Sequence, residues 1–324
     1  MKITTFFLSI LNFIILFFII HNSYFIIHDS YSYDSTNSFS ISIYPPLAEI
    51  IIKPGLTATQ SFIIQNHEPK DIKLIPQILP LQPTNAKGNI NLITNKQYFD
   101  RSINWFSLAD PNKKLNTPFL LKAGEKTRLT MKLALPANSP EKDLYYSLIV
   151  KQEPQTATKG QTRTKATALI GANTLISIKK QFETKTLLAI KNFDLTEESF
   201  LPGIIDSFDE ISFTAELENK TKHFAKTKGS LAINNSQNKT IQNYKLLEKN
   251  VLAYSQREIS CLESSDCRFT KKPFIGKIKA TLSTENSSKT IAFWILPIKL
   301  IIACLILLFT AILAVKIVFK VQPS

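Results

Sequence analysis

Apolar and polar residues alternate along much of the chain between residues 41 and 292, and this alternation predicts β-strands. The clearest strand is residues 126–135, where leucine and methionine alternate with arginine, threonine and lysine, as on a strand with one wet face. Turn residues such as Pro54-Gly55 separate the runs at spacings typical of a sandwich. The strands predicted up to residue 178 are residues 47–53, 60–65, 71–79, 126–135, 144–150 and 166–178.

A second series of apolar runs follows, with turns rich in asparagine, serine and lysine. The strands predicted there are residues 187–192, 211–217, 229–234, 275–282 and 290–292. No internal helix is evident from the periodicity. The chain is therefore predicted to be mainly β, with two tandem Ig-like β-sandwiches at residues 41–183 and 184–292.

An uncharged apolar segment lies at the N-terminus, at residues 6–20 behind Lys2. A helix of that length covers about 22 Å, which is short of a hydrocarbon core of about 30 Å. The segment therefore predicts a secretory signal within residues 1–35. A retained N-terminal anchor helix is the alternative, because the apolar pattern resumes at residues 24–27.

A longer apolar segment lies near the C-terminus, at residues 295–315, and gives about 31 Å of helix. It predicts a transmembrane helix within residues 293–319, followed by a cytoplasmic tail at residues 320–324. A buried helix of a soluble core would show a polar stripe, and residues 300–315 show none.

The residues flanking this span predict its orientation. Phe293 and Trp294 stand where an aromatic belt is expected, and Lys299 is near enough to the end to snorkel. Lysines after the span favour the cytoplasmic side, so the chain is predicted to cross the cell membrane once with its bulk outside. The predicted membrane-interface residues are Trp294, Lys299, Lys316 and Lys320.

Several turn and strand motifs carry a resemblance to a known family. They are Tyr44-Pro45-Pro46, Pro54-Gly55, Asn66, Leu121-Lys122-Ala123-Gly124-Glu125, Leu135-Pro136, Tyr145-Tyr146, Glu218-Asn219, Gly229, residues 250–257 and Trp294-Ile295-Leu296-Pro297. Together they resemble the tandem Ig-like domains and membrane anchor of bacterial surface proteins of the WxL-interacting-protein type. The resemblance implies an envelope-anchored binding or scaffold protein. It does not carry over a ligand, and residues 151–165 depart from the pattern by their length.

The charge and composition limit the chemistry. With 39 Lys+Arg against 25 Asp+Glu, the formal net charge is +14, which favours anionic polymers and lipid headgroups unless it only reflects composition. The chain has 8 Gly and 4 His and lacks GxSxG, HExxH and P-loop motifs, so no enzyme, cofactor or metal site is predicted. No nucleic acid is expected as a partner, because no nucleic-acid-binding motif is present.

A polar run at residues 151–165 is predicted to be a long hairpin loop. It is interpreted either as a solvated loop or as an anion-contact site. The candidate anion contacts are Lys159, Arg163 and Lys165.

Two cysteines, Cys261 and Cys267, are close in sequence on the predicted exported side, where a disulfide can persist. Two free thiols and a metal site are the alternatives, the last without a histidine to support it. Cys304 lies inside the predicted span. An acidic group is interpreted as a solvated loop, with a Ca²⁺ site or a catalytic carboxylate pair as alternatives; its members are Asp194, Glu197, Glu198, Asp206, Asp209 and Glu210.

Two functions are therefore predicted. The first is a non-catalytic, envelope-anchored binding or scaffold protein that contacts cell-wall polymer or a surface protein. The alternative is an accessory or chaperone-like subunit that binds exported chains by β-strand addition at an open sheet edge.

Overall fold

A computed structural model describes residues 40–153, 169–181, 187–196, 201–262 and 267–320. The predicted N-terminal signal or anchor lies outside these residues. The first strands are β1 (Ile41–Tyr44), β2 (Leu47–Ile52), β3 (Thr57–Asn66), β4 (Ile72–Pro83), β5 (Ile90–Leu92), β6 (Phe106–Leu108), β7 (Phe119–Leu121), β8 (Lys126–Ala134), β9 (Asp143–Gln152) and β10 (Leu169–Ile178). They are followed by β11 (Leu188–Leu195), β12 (Ile204–Asp206), β13 (Phe213–Asn219), β14 (Ala225–Lys226), β15 (Gly229–Asn235), β16 (Thr240–Lys245), β17 (Asn250–Val251), β18 (Gln256–Glu258), β19 (Gly276–Thr284) and β20 (Ser288–Leu296). The helices are two short 3₁₀ helices, Lys96–Tyr98 and Arg101–Trp105, and α1 (Ile298–Lys320).

The N-terminal half forms two sheets. One has the order β1-β3-β8-β6, and the other has the order β2-β10-β9-β4, with β5 and β7 on the far side of β4. Neighbouring strands are antiparallel except β2 and β10, which run parallel. Both sheets contribute alternate side chains to the core, as the period-two pattern predicts; examples are Phe62, Ile64, Leu129, Leu133, Leu74, Leu148 and Ile176.

The C-terminal half repeats this arrangement with the sheets β11-β13-β18 and β12-β20-β19-β15-β16, and with the pair β14-β17. Their inward side chains form one apolar cluster that includes Phe193, Phe213, Leu231, Ile278 and Phe293. The prediction of a mainly β chain with a C-terminal apolar helix is confirmed. The domain boundaries at 183/184 and the N-terminal helix stay predictions, since residues 182–186 and 1–39 lie outside the described part.

The predicted C-terminal end of β4 was wrong. Strand β4 was expected to stop before Pro80, but it continues to Pro83. Proline has no N–H, and it is tolerated where the ladder does not need one. The carbonyls of Pro76 and Pro80 accept from Asn116 and Ile93, on the side of β4 away from β9. The missing N–H groups therefore face that side, and the pairing with β9 is unbroken.

The apolar C-terminal segment also begins differently from the prediction. Ile295 and Leu296 belong to β20, and the helix starts at Ile298. Phe293 is 2% exposed within the sandwich core, so its predicted place in an aromatic belt was wrong. The cause is strand alternation, which turns Phe293 inward and Trp294 outward. Residues Ile298–Lys316 are long and apolar enough to cross a membrane, by length and composition.

Candidate functional site

The outstanding feature of the N-terminal half is an open edge on β10. Strand β9 pairs with β10 along residues 169–177, whereas β2 covers β10 only from Asn173 to Ile178. Residues 169–172 of β10 therefore have no strand on the β2 side among the described residues. We call residues 169–172 the open edge.

The backbone groups that face this side follow from strand alternation. The Asn173 N–H donates to the Pro46 carbonyl, and the Lys179 N–H donates to the Ile52 carbonyl, so odd-numbered residues of β10 point toward β2. In an antiparallel pair, successive residues point their N–H and C=O groups to opposite sides. Gly171 and Leu169 therefore present both backbone groups at the open edge.

The gap arises because the chain changes sheets at Tyr44-Pro45-Pro46. Before this point, β1 pairs with β3, with Tyr44 opposite Ile63. After it, β2 pairs with β10, beginning with Leu47 opposite Asn173. Continuing β2 backwards would place residues 43–46 beside the open edge, but Ile43 and Tyr44 belong to β1 in the other sheet. The prolines add no N–H with which to extend the ladder.

The surface of the open edge is apolar and closely packed. Leu169 is 49% exposed, Ile170 is half-buried and Ala172 is buried. A Cβ atom on Gly171 would come within 2.5 Å of Ile149 Cδ1 and 3.1 Å of Ser147 Oγ, so a larger residue here would require the Ile149 side chain to shift. The edge thus combines apolar side chains with backbone groups that have no partner strand within the described part of the chain, the combination that strand addition requires.

A buried polar network joins the two halves beside the same sheet. Asp143 Oδ1 lies 2.6 Å from Ser177 Oγ and 2.8 Å from His223 Nδ1. Asp143 Oδ2 accepts from the Phe224 N–H at 2.5 Å and from the Tyr145 hydroxyl at 2.9 Å. The side chains of Asp143 and His223 are 1% and 3% exposed. Four donors from three chain segments therefore converge on one carboxylate, and we call this group the Asp143 junction.

Tyr145 extends this junction to a further segment. Its hydroxyl accepts from the Ala253 N–H at 2.8 Å. Burial, and next the charge of Asp143, raise the pKa of Tyr145. The hydroxyl is therefore protonated and donates to Asp143.

The Asp143 junction contains the residue types of a Ser–His–Asp triad without its geometry. A triad places serine and aspartate on opposite ring nitrogens, so that the histidine can relay a proton. Here Ser177 and Asp143 both contact Nδ1, while Nε2 is buried without a hydrogen-bond partner among the described residues. The arrangement ties the halves together and does not activate Ser177. No local sequence pattern predicts that His223 lies beside a serine.

Exposed ion pairs surround the junction. Glu49 accepts from Asn250 Nδ2 at 2.7 Å and pairs with Lys226 at 2.9 Å, and Glu141 pairs with Lys222 at 2.7 Å. Burial raises the pKa of Glu49, but the Asn250 and Lys226 hydrogen bonds and the Lys226 charge bring it below its ordinary value. Pairs of this kind contribute little individually, so the buried carboxylate is the principal polar contact.

The candidate anion contacts Lys159, Arg163 and Lys165 lie outside the described residues, and their role stays a prediction. The described members of the acidic group do not converge on a common metal site. Asp206 is 5% exposed and accepts from backbone N–H groups, Asp209 pairs with Lys299 and Glu210 pairs with Arg268. Glu197 and Glu198 lie outside the described residues. Within the described residues, no cluster of three or more histidine, cysteine or acidic side chains could hold a metal ion.

Cys261 and Cys267 form a disulfide, with their Cα atoms 5.0 Å apart. Both cysteines are buried in the C-terminal core. The third cysteine, Cys304, is exposed on α1.

Replacing Cys261 and Cys267 together by serine is expected to lower the free energy of unfolding by about 2.4 kcal/mol, because a seven-residue loop is no longer closed in the unfolded chain. Denaturation of the full chain in detergent, with and without dithiothreitol, measures this. The wild type should lose stability on reduction, and the double variant should not respond. Equal responses would show that the disulfide does not contribute.

The predicted membrane-interface residues lie at the two ends of α1. Trp294 is 46% exposed and has Lys277 Nζ 5.9 Å from its ring centroid. Lys299 lies in the first turn, and Lys316 and Lys320 lie in the last turns. Their contact with a membrane stays a prediction.

Comparisons with known proteins complete the description. No family model matches the chain, and no curated protein matches its sequence. A chain of the CsuC–CsuE chaperone–tip adhesion subunit complex of Acinetobacter baumannii is similar at 14% identity and TM-score 0.34, over 79% of this chain and 98% of that one. The class 5 fimbriae chaperone CfaA is similar at 10% identity and TM-score 0.37, over 80% and 100%.

A chain of the Salmonella enterica complex of SafA pilin with the SafB chaperone is similar at 12% identity and TM-score 0.34, over 80% and 97%. At TM-scores below 0.5, these likenesses assign neither a family nor a function to this chain. The resemblance to WxL-interacting proteins also stays a prediction.

Proposed function

We propose that this chain is a non-catalytic, membrane-anchored accessory protein that binds extended segments of exported chains by strand addition at the open edge. The observation that carries the proposal is that β2 leaves residues 169–172 of β10 uncovered among the described residues. This leaves the N–H and C=O groups of Leu169 and Gly171 facing outward beside the exposed side chain of Leu169. An extended segment can satisfy those groups and bury its own apolar residues in one step.

The open edge is held in an extended conformation by β9, which favours binding. Strand β9 pairs with β10 along nine residues, and β2 pairs with its second half. Ser177 near the end of β10 is held by the Asp143 junction. A partner strand therefore meets a preformed template, and little conformational entropy is lost on the side of this chain.

The anchor in this proposal is α1. Lys316 and Lys320 follow most of its apolar length, which favours the cytoplasmic side for that end. The sheets would then lie outside the membrane, where exported chains emerge.

The polymer-binding scaffold predicted from the charge has less support. Its candidate contacts at residues 159–165 lie outside the described residues, and the described lysines include many that pair with carboxylates, such as Lys142, Lys222 and Lys226. Pairing reduces the charge that those lysines offer to a polyanion. We therefore favour the strand-addition function.

Replacing Leu169 by proline tests the proposal. The N–H of Leu169 faces the open side, so the substitution removes a donor that an added strand would use and leaves the β9 ladder intact. We expect binding of an alternating apolar–polar peptide to weaken about tenfold, which corresponds to about 1.4 kcal/mol. The measurement is fluorescence anisotropy of labelled synthetic peptides, a panel with different apolar residues, against the full chain in detergent.

Leu120 provides the matched control. It is a 54% exposed leucine on β7, at the opposite edge of the same sheet. Lys73, which lies opposite Leu120 in β4, points its carbonyl toward β9, so these two residues do not hydrogen-bond to each other. The N–H of Leu120 therefore faces away from β4, just as the N–H of Leu169 faces away from β9. Leu120→Pro should bind the peptides as the wild type does. Equal weakening in both variants, or peptides that bind Leu169→Pro unchanged, would rule out strand addition at the open edge.

A further inference from the structure

Exposed apolar residues gather where β20 passes into α1. Phe208 is 59% exposed, Phe274 is 51%, Ile275 is 59% and Trp294 is 46%. Large side chains of this kind are normally scattered over a soluble surface, so a group at one end of a sandwich indicates an interaction surface. We call these four residues the aromatic collar.

The collar is assembled from three chain segments. Phe208 and Phe274 meet edge to face, with ring centroids 5.8 Å apart. Gly276, directly after Ile275, lies opposite Ile295 in the register of β19 and β20. Strand β12 runs parallel to the end of β20, with Ile204 opposite Trp294. The segments around residues 208, 274 and 294 therefore lie at the same end of the sheet.

The joint between β20 and α1 is stiff. Only Pro297 separates the strand from the helix, and its carbonyl accepts from the Ile301 N–H at 2.9 Å. Asp206 Oδ2 accepts from the Lys299 N–H at 2.6 Å, and the Ser207 N–H donates to the Leu296 carbonyl at 3.0 Å. A carboxylate at a helix N-terminus accepts from an N–H that has no partner within the helix, and its negative charge interacts favourably with the positive end of the helix dipole. The sandwich is thereby fixed to the first turn of α1.

Asp206 is suited to this role by its surroundings. Burial raises its pKa, but the N–H groups of Lys299, Phe208 and Ile298 and the charge of Lys299 bring it below the ordinary aspartate value. The carboxylate is therefore ionised near neutral pH. Its hold on the helix is present above the ordinary aspartate pKa and is lost only as the pH falls through the lowered value.

Lysines adjoin the collar. Lys277 lies over the ring of Trp294, and Lys272 donates to the Asp209 carbonyl. Aromatic rings with neighbouring lysines are the composition that proteins place at the headgroup level of a bilayer. A second copy of this chain is a less suitable partner, because its lysines would lie against the lysines of the first copy and repel them.

Resting on the proposed membrane anchor, we infer that the aromatic collar enters the headgroup region of the lipid bilayer that α1 would cross. The bilayer is the occupant because the collar is continuous with α1. Asp206 and Pro297 fix the sandwich to this helix, so inserting the helix brings this end of the sandwich to the membrane surface. The sandwich then rests on the bilayer and does not swing on a linker. The open edge is held at a set distance from the membrane as a result.

Quenching by brominated lipid tests the inference. The chain has two tryptophans, so Trp105→Phe with Trp294→Phe gives a silent background. Single tryptophans are then placed by Phe208→Trp or Phe274→Trp, and the full chain is reconstituted in phosphatidylcholine–phosphatidylglycerol vesicles with or without bromine near the headgroups. Phe208 is remote from α1 in sequence, so its quenching reports the collar and not the neighbouring helix.

Tyr254→Trp on the same background is the control. Tyr254 is 74% exposed, and the carbonyl of Ser255 beside it accepts from the N–H of Asn219, the last residue of β13. We expect brominated lipid to lower the emission of Phe208→Trp and Phe274→Trp by about half, and that of Tyr254→Trp by less than about a tenth. Quenching at residue 208 no stronger than at residue 254 would overturn the inference, and a blue-shifted emission without quenching would assign the collar to a protein contact.

Discussion

Replacing Asp143 by alanine is expected to lower the free energy of unfolding by about 3–5 kcal/mol, because it leaves several buried donors unsatisfied at a cost of about 1–3 kcal/mol each. The carboxylate accepts from Ser177, His223, Tyr145 and the Phe224 N–H. Water does not replace the lost carboxylate as a hydrogen-bond acceptor, because the site is buried. Denaturation of the full chain in detergent, followed by tryptophan fluorescence, measures the loss.

The two tryptophans make this experiment more specific, since Trp105 lies in the N-terminal half and Trp294 in the C-terminal half. Removing the junction should separate the two halves, so their transitions should move apart in Asp143→Ala relative to the wild type. Glu285→Ala is the control, because its pair with Lys228 is exposed and 4.0 Å long. It should change stability by less than about 0.5 kcal/mol. Similar losses in both variants would show that the Asp143 junction is not a principal contact.

The sequence predicted the features that depend on local pattern. Strand β8 follows the alternation of its leucines, and Leu129, Met131 and Leu133 are buried as that alternation requires. The Pro54-Gly55 turn has the expected positive φ, 79° at Gly55. Such features are fixed within a few residues, where the period of the pattern and the chemistry of the turn suffice.

The candidate sites depend on contacts that no local pattern contains. The sequence predicted strands near both β2 and β10, but the partial cover of β10 depends on their mutual register. Asp143, Ser177 and His223 are each more than thirty positions from the next one in the chain. The network they form is visible only when β9, β10 and the turn after β13 are brought together. Local sequence patterns therefore predict neither the open sheet edge nor the contacts between the two halves.

The boundary between sandwich and helix shows a third limit. Hydropathy alone extended the helix back to residue 295, because a buried strand and a membrane helix are both apolar. Pro297 marks the true change, since β20 ends at Leu296 and α1 begins at Ile298. The same error placed Phe293 at the membrane. Because Phe293 is instead buried in the sandwich core, its truncation should lower the stability of the C-terminal half.

Replacing Phe293 by alanine is expected to lower the free energy of unfolding of the C-terminal half by about 3–5 kcal/mol, the usual loss for a buried phenylalanine. Its ring lies 6.2 Å from that of Phe213, which in turn lies 6.0 Å from Phe193, so a cavity would open among three aromatic rings. The measurement is denaturation in detergent followed by Trp294 fluorescence.

Phe274→Ala is the matched control, since the same atoms are removed from a side chain that is 51% exposed. It should cost less than about 1 kcal/mol in detergent, because an exposed ring leaves no cavity. The two phenylalanines thus separate stability from membrane contact: Phe293 supports the core, and Phe274 belongs to the collar. If Phe293→Ala unfolded no more easily than Phe274→Ala, Phe293 would have to lie at the membrane interface, and β20 would have to end before it.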